Sequence, residues 1–197
     1  MNTVKVSLVG VGGQGIILTA DLLAKTASVA GYDVKKSEIH GMAQRGGSVT
    51  SQVRFGKSVA SPIIQEGTAD ILVSFDKLEA LRNVGILAKG GTALVNDLFL
   101  VPVTVSSGQQ PAVDDLDGKV KKAFRKLILV DAMKVAAEEV GNGRTMNMVI
   151  AGALSTLCPF KESQWLEALE ALLSGPKAKL LDVNRKAFQL GRSAALK

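Results

Sequence analysis

One cysteine, one histidine, one tryptophan and one tyrosine are all that the 197 residues contain of those four types. Each scarcity removes a class of protein. The single cysteine, Cys158, rules out an internal disulfide, and one histidine with one cysteine cannot build a metal cage or the four-thiolate seat of an iron–sulfur cluster. Redox chemistry, if any, must be borrowed from a cofactor or a partner. No apolar run approaches the roughly 20 residues that span a bilayer, and the opening "MNTVKVSLVG" has neither the basic leader nor the cleavage site of a signal peptide. The protein is therefore expected in the cytoplasm, with no membrane contact. Aromatic residues make up only 4% against 47% hydrophobic residues in all, the balance of an aliphatic α/β interior rather than of an all-β sandwich.

The length matches one well-buried core, and no repeat or low-complexity linker divides it, so residues 1–197 are expected to form a single domain, helical from about residue 131. The formal charge of +6 favours anionic ligands, an acidic partner or nucleic acid. The only local basic run, "KVKKAFRK" from Lys119 to Lys126, has one aromatic and no recognition motif around it. A solvated face is expected there, and nucleic acid is not expected as a partner.

Along the chain, "VKVSLVG" is a β-rich run ending in glycine, followed by Ile16, Ala20, Leu23, Ala24 and Ala27 at helical spacing and by Gly31 as a stop. "YDVKKSEI" and "SVTSQVRFG" read as the second and third strands, the third half-buried because Val49, Val53 and Phe55 alternate with Thr50, Gln52 and Arg54. "ADILVSF" reads as a central strand, "DKLEALRNVGILAKGG" as a helix carrying Leu78, Leu81 and Leu87, and "TALVN" and "KLILVDA" as further strands. "LVPVTV" is expected as an edge strand, since its proline cannot donate to a ladder. From "AMKVAAEEVG" onward the pattern is helical, and "TMNMVIAGALSTL" is apolar almost all round, which means deep burial or an interface with another chain. Only "HGMAQRGG" separates strands two and three, whereas a parallel crossover needs a dozen or more residues. The fold class is thus α/β with a mixed sheet.

The opening strand, turn and helix carry "VGVGGQG", in which Gly10, Gly12 and Gly15 stand in G-x-G-x-x-G spacing, a Rossmann-like start that can offer helix N–H groups to a phosphate. Glu38 falls 23 residues past Gly15, where an acid meets a ribose hydroxyl in dinucleotide-binding units. The same glycines also serve close packing of a helix on its strand, and the short second connection removes the second half of a dinucleotide fold. The segment "SEIHGMAQRGGSV" gathers Glu38, His40, Gln44 and Arg45 ahead of Gly46 and Gly47, which let the backbone turn sharply or approach a ligand. It reads as a ligand-facing loop or as a hairpin loop in which Arg45 pairs with Glu38.

"GVGGQG", "HGMAQRGGSV" followed by "VRFG", "ADILVSFDKLEALR" and "GNGRTMNMVIAGAL", in this order over about residues 4 to 157, together resemble the gamma subunit or gamma domain of the 2-oxoacid:ferredoxin oxidoreductases. Within that group they are most similar to the small subunit of the indolepyruvate enzymes. The resemblance implies a three-layer α/β/α sandwich with a mixed, mostly parallel sheet. It implies a subunit of a larger enzyme that oxidatively decarboxylates a 2-oxoacid such as indolepyruvate or pyruvate, passes electrons to ferredoxin and forms acyl-CoA and CO2. Thiamine diphosphate, Mg2+ and the 4Fe–4S clusters are implied on large partner chains. This chain, which lacks a cysteine motif and a G-D-G magnesium-diphosphate motif, is expected to bind no cofactor alone, to be inactive alone, and to meet coenzyme A at a shared site.

Residue by residue, the resemblance carries over Gly10, Gly12, Gly13, Gln14 and Gly15 as the turn and Arg45, Gly46 and Gly47 as the loop, both facing the large subunit and plausible at the coenzyme A site. Glu38, His40, Gln44 and Asn147 are expected at the interface or just behind it; for Asn147 a helix cap or a buried hydrogen bond between helices is the plainer role. Arg45 offers a planar donor fork to phosphate or carboxylate, His40 a proton, and Cys158 a small buried hydrophobe rather than a nucleophile. "GQQPAV" replaces the tyrosine-containing "G-x-x-Y-P" segment of the family, which leaves the preferred 2-oxoacid open. Two other readings stand beside this one: a free-standing oxidoreductase holding NAD or FAD on "GVGGQG", and a scaffold that meets its partner through the apolar "TMNMVIAGALSTL".

Overall fold

The computed structural model describes residues 3–40, with His40 by its backbone alone, and residues 46–196. Strand β1 (Val4–Val11) runs through the glycine-rich turn into helix α1 (Ile16–Val29). Gly31, left-handed at φ 82°, ends that helix and sends the chain into β2 (Asp33–His40), which pairs antiparallel with β3 (Ser48–Gly56). Then come β4 (Ala69–Ser74), α2 (Lys77–Arg82), β5 (Leu87–Asn96), α3 (Val103–Ser106), α4 (Leu116–Ala123) and β6 (Leu127–Val130). The short α5 (Ala132–Lys134) widens into a π turn at Val135–Val140, and α6 (Met146–Ser155), α7 (Glu162–Leu172) and α8 (Leu181–Ala195) follow.

The strands lie in the order β2-β3-β1-β4-β5-β6. Pairs β1–β4, β4–β5 and β5–β6 are parallel, whereas β3 runs antiparallel to both neighbours. The short connection after β2 dictates this, because so few residues can reverse the chain but cannot carry it back to the start of a parallel strand. The sheet is mixed as expected, and β3 is inserted between β1 and β2.

Alternate side chains of the strands feed two cores. Val6 and Leu8 of β1, Val53 and Phe55 of β3, and Leu94 of β5 pack with α1, α6, α7 and α8 on one face; Val9, Leu72, Ala93 and Val95 meet Ala80, Val120 and Phe124 around α2 and α4 on the other. Helices therefore cover both faces, in three layers. The few aromatics are concentrated on the first face, where Tyr32, Phe55, Phe160, Trp165 and Phe188 touch in sequence at centroid distances of 4.9 to 6.1 Å.

Three expectations are corrected. Strand β3 is buried on both faces near its middle: Gln52 accepts the N–H of Ile64 at 2.8 Å, so the connection after β3 covers the side that alternation assigned to solvent. The helix through "DKLEALRNVGILAKGG" ends at Arg82, and Leu87 already begins β5. Gly91 is what lets that strand lie against β4, since a Cβ there would stand 2.9 Å from the Ala69 carbonyl oxygen. "LVPVTV" is no edge strand: Pro102 stands at the cap of α3, where a missing N–H goes unnoticed. The sheet edges are β2 and β6 instead.

Helix α6 is buried along its whole length, by this chain's own elements. It crosses α8 with a glycine of each helix set against the other's backbone: a Cβ on Gly152 would lie 1.9 Å from the Phe188 carbonyl oxygen, and one on Gly191 1.9 Å from that of Val149.

Candidate functional site

At the C-terminal end of β1 the chain must reverse into α1 within four residues, Gly12 to Gly15. Gln14 braces this turn. Its backbone N–H donates to the Val11 carbonyl at 3.1 Å, its Oε1 accepts the Val11 N–H at 2.7 Å, and its Nε2 donates to the Phe75 carbonyl at 3.3 Å. A side chain so engaged is a strut of the turn rather than a ligand contact. Gly10 leaves it room, since a Cβ there would meet Gln14 Oε1 at 2.7 Å and Phe75 Cβ at 2.8 Å.

Gly15 caps α1 at φ 86°, with no side chain to satisfy the first N–H groups of the helix, which lack intrahelical partners. Those donors stay available at a helix N-terminus that favours anions. Gly13, at φ 102°, has no atom within 4 Å of where a Cβ would stand, so it borders open space.

The second glycine pair is bonded to this turn. Gly12 donates to the Gly47 carbonyl at 2.8 Å, and Gly46 donates to the Gly12 carbonyl at 3.5 Å, which extends the β1–β3 ladder past both strand ends. The two motifs, far apart in the chain, therefore make one rim. Beside it lies a cleft of about 610 Å³ between Gly12, Gly13, Gly15, the first turn of α1, Asp21, Val49 and Lys177. Gly46 also borders a smaller cleft of about 200 Å³ on the other side, with Asp76, Glu79 and Arg82.

Glu38 is not at the turn. Because β3 separates β2 from β1, Glu38 sits on the edge strand, where Lys36 donates to it at 2.5 Å and also to Asp21 of α1. Burial works to lower the pKa of Lys36, but its bonds to Asp21 and Glu38 prevail and hold the ammonium above the usual lysine range. The acid that a ribose hydroxyl would need is thus already engaged in an ion pair. His40 closes β2 by backbone pairing with Val49; its side chain, Gln44 and Arg45 lie outside the described residues.

Asn147 stands against the turn from the far side. A Cβ on Gly15 would be 2.6 Å from its Nδ2, so glycine at 15 and asparagine at 147 are fitted to each other. It is no helix cap, being the second residue of α6, and the bond between helices runs through its carbonyl, which accepts Thr19 Oγ1 at 3.3 Å. Behind this contact is a second cavity of about 340 Å³, with Leu18, Leu22, Leu169 and Leu172 on its walls and Asn142, Arg144, Asn147 and Asn184 among its polar groups. Lys177, from the 3₁₀ turn Gly175–Leu180, and Leu18 line both hollows. Sequence reasoning missed Asp21, Arg144 and Lys177. Nothing in the spacing of Arg144 and Lys177 marks them, because only the packing of α6 and α7 against α1 brings the segments that carry them to the turn; Asp21 lies in α1 itself, in no motif.

Cys158 packs against the main core; desolvation pushes its thiol up to about 12, although the residue as a whole is partly exposed. Among the described residues no group of three or more His, Cys, Asp or Glu side chains is placed to hold a metal ion. None of the helices described is long and apolar enough to cross a membrane.

Fold and site together define an α/β chain with a mixed sheet and an open, glycine-edged cleft at the C-terminal end of β1. The chain belongs to the pyruvate ferredoxin/flavodoxin oxidoreductase family, which matches residues 5–194. It is 42% identical to the indolepyruvate oxidoreductase subunit IorB of Thermococcus kodakarensis, over 99% of this chain and 97% of that one. IorB of Archaeoglobus fulgidus is 36% identical over 96% and 94% of the two chains. Among solved structures, the gamma subunit of keto/oxoacid ferredoxin oxidoreductase from Geobacter sulfurreducens shares the fold, with a TM-score of 0.71 at 24% identity over 98% of each chain. The 2-oxoglutarate:ferredoxin oxidoreductase of Magnetococcus marinus, solved with 2-oxoglutarate, coenzyme A and succinyl-CoA bound, contains the same fold within a longer chain, with a TM-score of 0.74 at 22% identity, covering 31% of that chain.

Proposed function

We propose that this chain is the small, gamma-type subunit of a multisubunit 2-oxoacid:ferredoxin oxidoreductase, with indolepyruvate as its 2-oxoacid, and that residues 1–197 act in it as one cytoplasmic domain. The carrying observation is the full-length likeness to IorB subunits together with the bond from Gly12 to Gly47, which joins two separate motifs into one rim over an open cleft. The rim, Gly12, Gly13, Gly15, Gly46 and Gly47, faces the large subunit and the coenzyme A site, while Gly10, Gln14 and Asn147 support it from within; Arg45, the residue before Gly46 in the sequence, is proposed to act at the same site. The first N–H groups of α1 and the cations of Lys177 and Arg144 receive phosphate groups of coenzyme A. Glu38, His40 and Gln44 lie at the edge of the subunit contact.

Thiamine diphosphate, Mg2+ and the iron–sulfur clusters are proposed on the large partner chains, since one cysteine and the side-chain grouping found among the described residues do not fit them here. Decarboxylation and electron transfer to ferredoxin belong to those groups. This chain orients coenzyme A and closes the shared site. The NAD or FAD reading is disfavoured by the insertion of β3 and the capture of Glu38 by Lys36. The scaffold reading loses its surface, because α6 has no free face.

The test is anaerobic co-purification with a large subunit, followed by viologen reduction with a panel of 2-oxoacids and coenzyme A. Activity with indolepyruvate in the complex alone is expected. Lys177→Ala should raise the KM for coenzyme A about tenfold, ~1.4 kcal/mol, with little change in kcat, and Arg45→Ala should weaken coenzyme A use or assembly in a folded protein. Saturable binding of NAD or FAD to the chain alone, or a normal KM for coenzyme A in both variants together with normal assembly of the Arg45→Ala complex, would overturn the reading.

A further inference from the structure

At the end of the sheet away from the glycine turn the fold gathers a cluster of cations. Strands β5 and β6 enter the sheet there, and between their N-terminal ends and the end of α4 lies a hollow of about 410 Å³, bordered by Val84, Leu87, Lys89, Gly91, Phe124 and Arg125. Lys126 is held at the same place, its Nζ donating to the Gly90 carbonyl at 3.1 Å. The exposed Lys119, Lys121 and Lys122 of α4 stand next to it in the chain.

Among the described residues, none of Lys89, Lys119, Lys122, Arg125 and Lys126 takes part in an ion pair. Lys121 alone acts on a neighbouring acid, Asp117, which Lys77 already holds. Lysines in the last turn of α4 also favour the helix end, but Lys89, Arg125 and Lys126 lie outside that helix. An ordinary solvated face intersperses both signs. Here the fold brings Lys89 from β5 to Arg125 after α4, around one concavity.

We propose that this hollow docks an acidic stretch of a partner protein. Arg125 takes a carboxylate through its planar fork, Lys89, Lys122 and Lys126 draw the stretch in by their field, and Val84, 39% exposed, gives its apolar side chains a floor. A single strand would stack its bases on an aromatic platform, and Phe124, the aromatic bordering the hollow, is buried at 5% exposure. The inference stands apart from the coenzyme A reading, since it concerns the opposite end of the sheet.

The test uses the full chain and a fluorescein-labelled oligoglutamate peptide at low ionic strength, followed by anisotropy. Saturable binding that weakens with salt is expected, and the K89E/R125E/K126E variant should weaken it by about tenfold or more, ~1.4 kcal/mol. A control, K57E/K179E/K186E, reverses as many exposed charges elsewhere and should change it by less than about twofold. The neutral variant K89Q/R125Q/K126Q, which should fold even where the reversed one does not, is expected to lie between. Equal loss in target and control, or no binding by the native chain, overturns the proposal. Tighter binding of a single-stranded oligonucleotide of the same charge, lost in the same variant, assigns the hollow to nucleic acid and overturns it too.

Discussion

The glycines of the turn answer different constraints, and substitution separates them. At Gly13 only the backbone conformation resists a side chain, because the space is open. Gly13→Ala should lose about 1 kcal/mol of stability in urea unfolding. At Gly15 the same left-handed strain is joined by a clash with Asn147, and Gly15→Ala should lose about 3 kcal/mol. Equal losses would mean that Asn147 yields freely. Cys158 gives a second test at this scale. With its thiol pushed up to about 12 by desolvation, it should resist alkylation at pH 8 in the folded chain and react promptly in urea. Its folded pKa lies above the unfolded one, so the unfolded chain loses the proton first and stability should fall as pH rises from about 9 towards 12. Fast native alkylation would place the thiol in solvent. Of these residues, the glycines and Cys158 were legible from sequence; the strut role of Gln14 was not, because the Phe75 carbonyl it holds is supplied by β4's end, outside the motif.

At the scale of elements, the crossing of α6 and α8 decides what the C-terminal part can be. In an isolated helix Gly→Ala gains about 1 kcal/mol. At Gly152 the sign should reverse, since a Cβ meets the Phe188 carbonyl oxygen at 1.9 Å, and Gly152→Ala should lower stability by about 3 kcal/mol or prevent folding. A variant as stable as the parent would show that α8 can move off α6. The all-apolar run of α6 told the reader of deep burial or an interface; only the packed helices choose burial. Element ends were less legible. Asp76 caps α2 by accepting from Leu78 and Glu79 at 2.7 and 3.2 Å, and Asn83 closes it by donating to Glu79's carbonyl at 2.9 Å, six residues on from Lys77. The apolar spacing ran past that close as if the helix continued to Leu87.

For the whole molecule, the main core joins the sheet to α6, α7 and α8 without a break, and Trp165, fully buried there, reports on it. If residues 1–197 act as one domain, the tryptophan emission shift and the loss of far-ultraviolet circular dichroism should coincide in one urea transition. Two separate transitions would divide the helical part from the sheet. Charge has its own distribution at this scale: the glycine-lined rim and the basic hollow lie at opposite ends of the sheet, so a partner at one leaves the other open.

By itself the sequence determined the features that depend on near neighbours. Loop length forced the hairpin after β2, and with it the mixed sheet; glycine spacing placed the turn after β1; one cysteine removed an iron–sulfur seat; and four ordered motifs carried the family. Only the tertiary structure decided which distant groups meet. It put β3 between Glu38 and the turn and gave Glu38 to Lys36, it brought Lys177 and Arg144 to the clefts around α1, and it buried α6. Such pairings follow from strand order and helix crossing, which are settled by how whole faces pack together, and periodicity along a single segment holds no information about the face it will meet.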